Sequence, residues 1–214
     1  MQLICSAVIE ELEPLLQLSI FNQVSPVMFV HRQKPVVVAA LGVGLVDFAI
    51  GFQALLGEYQ VDGALLTGTC GVYPGALQKW PIGSLVSPSK ISLGDLSEVD
   101  QTGYFPAPVI STCFLDESFS RRLAPASDTH CLTLTTITSD ERAAARIETH
   151  YQAHFEQMEA YAFARLCQRQ KISGALLFAV ANQVGRDGHL QWLDNARQGA
   201  CLSASLLSEK FDLE

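Results

Sequence analysis

The chain has 214 residues, and at roughly 100–200 residues per domain a single domain over residues 1–214 is expected. Hydrophobic residues make up 49% and charged residues 17%, which excludes disorder for the bulk of the chain. With 22 acidic and 14 basic residues the formal charge is −8, which argues against a partner held through nucleic-acid phosphates or anionic lipid and leaves small molecules open.

In chain order, Leu3–Ile9 has the length and apolarity of a buried strand, and Glu10–Leu18 continues with helical spacing. Val27–Val30 and Val36–Leu41 flank a polar turn and predict a hairpin. Gly42-Val43-Gly44 opens an apolar helix that ends near Gly57. Gly63–Thr67 is a buried strand running into Thr67-Gly68-Thr69-Cys70-Gly71, and Leu85-Val86 a further strand. Residues 87–108 are rich in Ser, Gly, Asp and Pro and have the composition of a long mobile excursion. A helix near Asp116–Leu123, a strand over Cys131–Thr138 and a helix over Arg142–His150, capped by Ser139-Asp140-Glu141, follow. Glu159–Gln170 is an amphipathic helix, Ala175–Ala181 a buried strand, and Trp192–Phe211 the closing helix. Strands alternating with helices, several of them apolar throughout, give an α/β fold: three layers, with a mixed, mostly parallel central sheet flanked by helices.

The six cysteines show no C-x-x-C spacing and mostly sit in apolar runs, which fits buried, reduced thiols in a cytoplasmic protein. Leu3–Ile9 lacks a basic lead and meets Glu10, Glu11 and Glu13, so it does not read as a signal peptide. No run reaches the ~18 apolar residues of a membrane span. His150 and His154 have helical metal spacing but no partner ligand nearby, and no metal is expected. Gly42-Val43-Gly44 lacks the third glycine of a dinucleotide fingerprint; a strand-to-helix turn in close approach to a ligand or another element explains it better. Thr67–Gly71, after a strand, stands where open α/β sheets bind ligands.

In combination these segments resemble the nucleoside phosphorylase/nucleosidase family over nearly the whole chain. The carriers are an acid after the first strand, Thr67-Gly68-Thr69-Cys70-Gly71, Gln157-Met158-Glu159-Ala160 opening a helix, and Ala181-Asn182 after the next strand. The resemblance implies a nucleoside phosphorylase-like fold, no cofactor, and a homo-oligomer, commonly a dimer whose partner closes the 5′ side of the pocket. It carries ribose binding to Glu159 and Met158, with Gln157 beside them, and places Thr69, Cys70 and Gly71 next to ribose and base. Phosphorylases of the family hold phosphate with arginines; here Glu10 and Glu11 occupy the first such position and Gly71–Lys79 contains no arginine. By its spacing from Ala7, Glu11 matches the water-activating Glu of methylthioadenosine/S-adenosylhomocysteine nucleosidases, so a hydrolase is implied.

Those nucleosidases carry Ser-Asp where this chain has Ala181-Asn182. An Asn amide can donate to purine N7 and adapt to a 6-oxo base. Asn182-Gln183-Val184-Gly185-Arg186-Asp187, followed by Trp192, resembles futalosine hydrolases, with Arg186 one place early; Arg186 could pair with a substrate carboxylate. Thr136, Ile137 and Thr138 resemble the strand-to-helix turn that lines the base in that group. The expected activity is hydrolysis of the N-glycosidic bond of futalosine, an inosine-like nucleoside, on the futalosine route to menaquinone. An adenine-releasing nucleosidase, a phosphorylase and a non-catalytic nucleoside-binding protein are the alternatives.

Overall fold

The computed structural model describes residues 1–116, 119, 123 and 128–213. Four strands form the centre of one mixed sheet: β1 (Gln2–Ser6), β4 (Val36–Ala40), β5 (Gly63–Val72) and β11 (Ser173–Gln183), parallel in the order β4-β1-β5-β11. The hairpin of β2 (Phe21–Ser25) and β3 (Met28–His31) adds to β4 antiparallel. At the other end of β5, β10 (Phe155–Glu156) leads to β9 (His130–Thr133), β7 (Lys90–Leu93) and β8 (Thr112–Phe114), while β6 (Leu85–Val86) pairs with β11.

Side chains alternate across a strand, so each central strand feeds two cores. Leu3, Cys5, Val37, Ala39, Ala64, Leu66, Leu176 and Phe178 face one layer. There α2 (Gly44–Glu58) and α5 (Ala160–Gln170) supply Phe48, Phe52 and Phe163, whose rings meet at centroid distances of 5.9–6.5 Å. Ile4, Val36, Val38, Leu65, Ala175 and Leu177 face the opposite layer, covered by α1 (Glu13–Leu16) and α6 (Gly188–Lys210) through Leu15, Ala204 and Leu207. A smaller core joins Ala144 and Ile147 of α4 (Glu141–Tyr151; α3 is the short Leu96–Val99) to Tyr73, Leu132 and Val184. Asp140 caps α4, accepting the Ala143 N–H at 2.8 Å. Among the described residues no helix is long and apolar enough to cross a membrane, and no group of three or more His, Cys, Asp or Glu could hold a metal ion.

The sequence-based elements differ from the structure at several places, among them β2, which the sequence does not signal, and the closing helix, which begins at Gly188 rather than Trp192. The first strand stops at Ser6, where the Ser6 hydroxyl donates to the Val8 carbonyl at 2.6 Å; a 3₁₀ turn over Ile9–Glu11 follows, and the helix shrinks to Glu13–Leu16. The Gly-rich segment Thr67–Gly71 is the continuation of β5 rather than a loop after it. The strand at Cys131 ends at Thr133, because the Thr138 N–H and hydroxyl go to Glu156 instead of to a neighbouring strand. The polar excursion 87–108 contributes β7, paired on both sides with β8 and β9. The helix expected near Asp116–Leu123 lies, except for Asp116, Phe119 and Leu123, outside the described residues.

Phe163, fully buried between Phe48 and Phe52, holds two helices against the sheet. Phe163→Ala is expected to cost about 3–5 kcal/mol of stability, measured as a lower denaturant midpoint at unchanged slope.

Candidate active site

One edge of β5 is paired with β11 from Gly63 to Val72. On the other edge β1 pairs only as far as Leu66, and β10 begins at Gly71. Residues 67–70 therefore have no strand partner on that edge, and Glu11 fills the gap. Its Oε1 accepts the Thr69 N–H at 2.9 Å and the Thr69 hydroxyl at 3.0 Å. The carboxylate packs so closely on the strand that a Cβ on Gly68 would lie 2.7 Å from both of its oxygens. The short 3₁₀ turn after β1 places Glu11 there.

Glu159 enters from the turn between β10 and α5. The Gly44 N–H donates to its Oε1 at 2.5 Å, and the Gln157 amide donates to its Oε2. Gln157 Oε1 in turn accepts the N–H groups of Glu159 and Ala160 at 2.7 and 2.6 Å, capping α5. Gly42 and Gly44 have φ of +112° and +79°, conformations that glycine adopts without strain. The Gly42-Val43-Gly44 turn thus serves close approach to another element: it points a backbone donor at a carboxylate.

Gly71 lies between two polar residues in one row across the sheet, paired with Glu156 on β10 and with Asn182 on β11. β11 carries a register shift between Val180 and Asn182, and such a bulge re-aims the side chain that follows. The Ala181 carbonyl, at the bulge, accepts from the Asn195 amide at 3.1 Å. A Cβ on Gly71 would fall 3.0 Å from the Asn182 amide nitrogen, so Asn182 sits over that glycine. Glu156 accepts from the Tyr73 hydroxyl at 2.8 Å and from the Thr138 N–H and hydroxyl at 3.0 and 2.7 Å.

These groups line a cavity of about 350 Å³. Of the residues singled out from the sequence, Glu11, Thr69, Cys70, Gly71, Ile137, Gln157, Met158, Glu159 and Asn182 all face it. Thr138 stands behind the wall, bonded to Glu156, and Thr136 is exposed away from the cavity. Arg186 is not brought to the site: the turn from β11 to α6 carries its side chain outward, with Nε 3.8 Å from Glu141 Oε1. The sequence reading missed Glu156 and His189 and gave Trp192 no role. Glu156 directly precedes Gln157-Met158-Glu159, which was the available signal. His189 and Trp192 lie on the first turns of α6 with rings stacked at 5.9 Å, and the Trp192 indole N–H donates to the Thr69 hydroxyl at 3.0 Å.

Burial pushes Glu11 up to about 7; the Thr69 N–H and hydroxyl oppose the rise, the nearby Glu159 charge adds to it, and an Ala7 N–H opposes it. Burial also raises Glu159, against its bonds from Gly44 and Gln157, and Glu156, against Thr138 and Tyr73. The Cys70 thiol is driven up by burial and by the charge of Glu11, so it is a neutral wall of the cavity and not a nucleophile. No Arg or Lys lines the cavity among the described residues. The arrangement offers one carboxylate that changes charge near neutral pH, two more held by donors, and one amide.

Residues 4–211 match the model of the phosphorylase superfamily, and the chain belongs to that family. Within it, the fold is similar to several solved nucleosidases. A Helicobacter pylori 5′-methylthioadenosine/S-adenosylhomocysteine nucleosidase variant with 5′-methylthioadenosine in its active site superposes at TM-score 0.86, 18% identity, over 99% of this chain and 97% of that one. The futalosine hydrolase of Helicobacter pylori gives 0.85, 17%, 99% and 97%. A Borrelia burgdorferi protein described as a putative nucleosidase of the first kind, bound to adenine, gives 0.83, 18%, 100% and 100%. No curated protein matches the chain.

A carbon-13 NMR titration of the Glu11 carboxyl should give a midpoint near 7. Thr69→Val, which removes the hydroxyl donor, should move that midpoint upward.

Proposed function

We propose that this protein is a purine nucleoside hydrolase, cleaving the N-glycosidic bond with water. The observation that carries this reading is the charge of the cavity: it is walled by Glu11, Glu156 and Glu159 with no Arg or Lys among the described lining residues. Three carboxylates repel a phosphate co-substrate, whereas a buried carboxylate that titrates near 7 suits a general base for water.

In this reading Glu159 accepts the ribose 2′- and 3′-hydroxyls and stabilises the positive charge that builds on the sugar. Met158 packs on the ribose. Water attacks C1′ as the C1′–N9 bond breaks, the bonding pair leaves on the base, and Glu11 takes the proton of the water. Asn182 donates to N7 as negative charge builds there, and the released base takes its proton from solvent. The 6-oxo preference rests on Asn182 in place of an Asp and on Glu156 across Gly71, whose acceptor oxygens suit a base edge bearing an N–H. Futalosine is the substrate proposed; the alternative, an adenine nucleoside, draws support from fold likeness to methylthioadenosine nucleosidases. Arg186 is given no part in binding.

We also propose a homodimer. Val46 and Ile50 on α2 and Val43, which caps it, are exposed by 70, 63 and 52%, and Val43 also lines the cavity, so a second copy seated there would close the site.

The deciding experiment is product chromatography with futalosine, aminofutalosine, methylthioadenosine and inosine, each with and without phosphate. Hypoxanthine from futalosine without phosphate is expected; release that requires phosphate overturns the hydrolase. Glu11→Gln should lower turnover about 10²–10⁴-fold with binding nearly intact, and Glu159→Ala should impair both. Since the base must be ionised, the wild-type rate should climb as pH rises through about 7 and level off above it. Asn182→Asp should lose hypoxanthine release and gain adenine release.

A further inference from the structure

We propose that Trp192 is a positioning residue for Glu11, acting through the Thr69 hydroxyl. This deepens the reading of Glu11 as the base and rests on it for its effect on rate.

An indole N–H only donates, and a threonine hydroxyl has one hydrogen. Trp192 Nε1 donates to Thr69 Oγ1 at 3.0 Å, so that hydroxyl accepts from Trp192 and its own hydrogen must go elsewhere. The acceptor in reach is Glu11 Oε1, 3.0 Å away, which also receives the Thr69 N–H. With the indole N–H on one lone pair of Oγ1, the hydroxyl hydrogen is directed to Oε1, and the chain runs Trp192→Thr69→Glu11. It holds Oε1 as an acceptor with both Thr69 donors on it and leaves Oε2 as the oxygen to take a proton from water. Without the indole N–H that orientation is lost, and the Thr69 hydroxyl turns more readily to accept from a protonated Glu11, which stabilises the unreactive form. The stacked ring of His189, 5.9 Å from that of Trp192 and tilted by 15°, fixes the indole plane.

Other groups face the same carboxylate. Glu159 comes from the β10–α5 turn, the Cys70 thiol from β5 and the Ala7 N–H from the end of β1. His189 stands beyond the indole on α6. None of them supplies a hydrogen to Thr69 Oγ1, so the direction of the chain depends on Trp192 alone among the described residues.

The chain contains two tryptophans, and the buried Trp80 N–H has no hydrogen-bond partner among the described residues, so Trp80→Phe isolates Trp192 at little cost. In that background Trp192 fluorescence should step with pH, with a midpoint near 7, and without any substrate. The step should vanish in Glu11→Gln and Thr69→Val and persist in His189→Asn. A step that survives Glu11→Gln, or that follows His189 instead, overturns the proposal. In the rate measurement, Trp192→Phe keeps an aromatic ring and loses the donor. It should lower kcat about five- to tenfold, the equivalent of one hydrogen bond, leave KM nearly unchanged, and move the acid limb of the pH profile upward. In a Thr69→Val background the same change should have no further effect. An unmoved acid limb, or equal losses in both backgrounds, overturns it. Because the fluorescence arm needs no turnover, a protein that hydrolyses none of the four nucleosides defeats the proposed function without deciding the relay.

Discussion

The structure depends on a gap in a β-ladder. Backbone N–H groups on a buried strand edge need acceptors, and a missing partner leaves them unsatisfied at a cost of about 1–3 kcal/mol each. Along residues 67–70 of β5 that acceptor is a side chain, Glu11, in place of a neighbouring strand. The arrangement sets conditions elsewhere. β1 has to stop at Ser6 so that its chain can turn back with Glu11, β10, which runs antiparallel to β5, has to end at Glu156 opposite Gly71, and Gly68 has no room for a Cβ. The cavity opens beside that edge, with Glu11, Thr69, Cys70 and Gly71 in its wall.

A second constraint is electrostatic. Three carboxylates in one cavity would repel each other and demand water, yet each is tied by donors from its own neighbourhood: Glu11 by Thr69, Glu159 by Gly44 and Gln157, Glu156 by Tyr73 and Thr138. None of these donors carries a charge. The negative potential is therefore fixed in place but not neutralised, which is what a site needs if it is to favour positive charge developing on a bound sugar.

How much of this was legible in the sequence differs from element to element. β4, β5 and β11 announce themselves as apolar runs because both faces are buried. The α2 and α5 boundaries follow from Gly42-Val43-Gly44 and from Gln157-Met158-Glu159. Lys90–Leu93 was hidden in a polar tract, because a short strand paired on both sides takes its conformation from its neighbours rather than from its own composition. Glu11, Glu159 and Asn182 were visible through family resemblance, and the structure brings their side chains to one cavity. Glu156 and the link from Trp192 were not visible. Their meaning lies in cross-strand register and in a hydrogen-bond direction, neither of which leaves a spacing pattern along the chain.

Burying Glu11 has a consequence for folding itself. Its pKa in the folded protein is above its value in the open chain, so folding takes up a proton in the interval between the two. That contribution to stability is complete below the open-chain value and is lost as pH rises through about 7. Ionisation of the carboxylate therefore loosens the fold around it, and on the alkaline side of neutrality this residue supports the protein least. Any ligand that presents a hydrogen or a positive charge to Oε2 opposes this loss, so occupancy of the cavity and integrity of the β5 edge are thermodynamically linked.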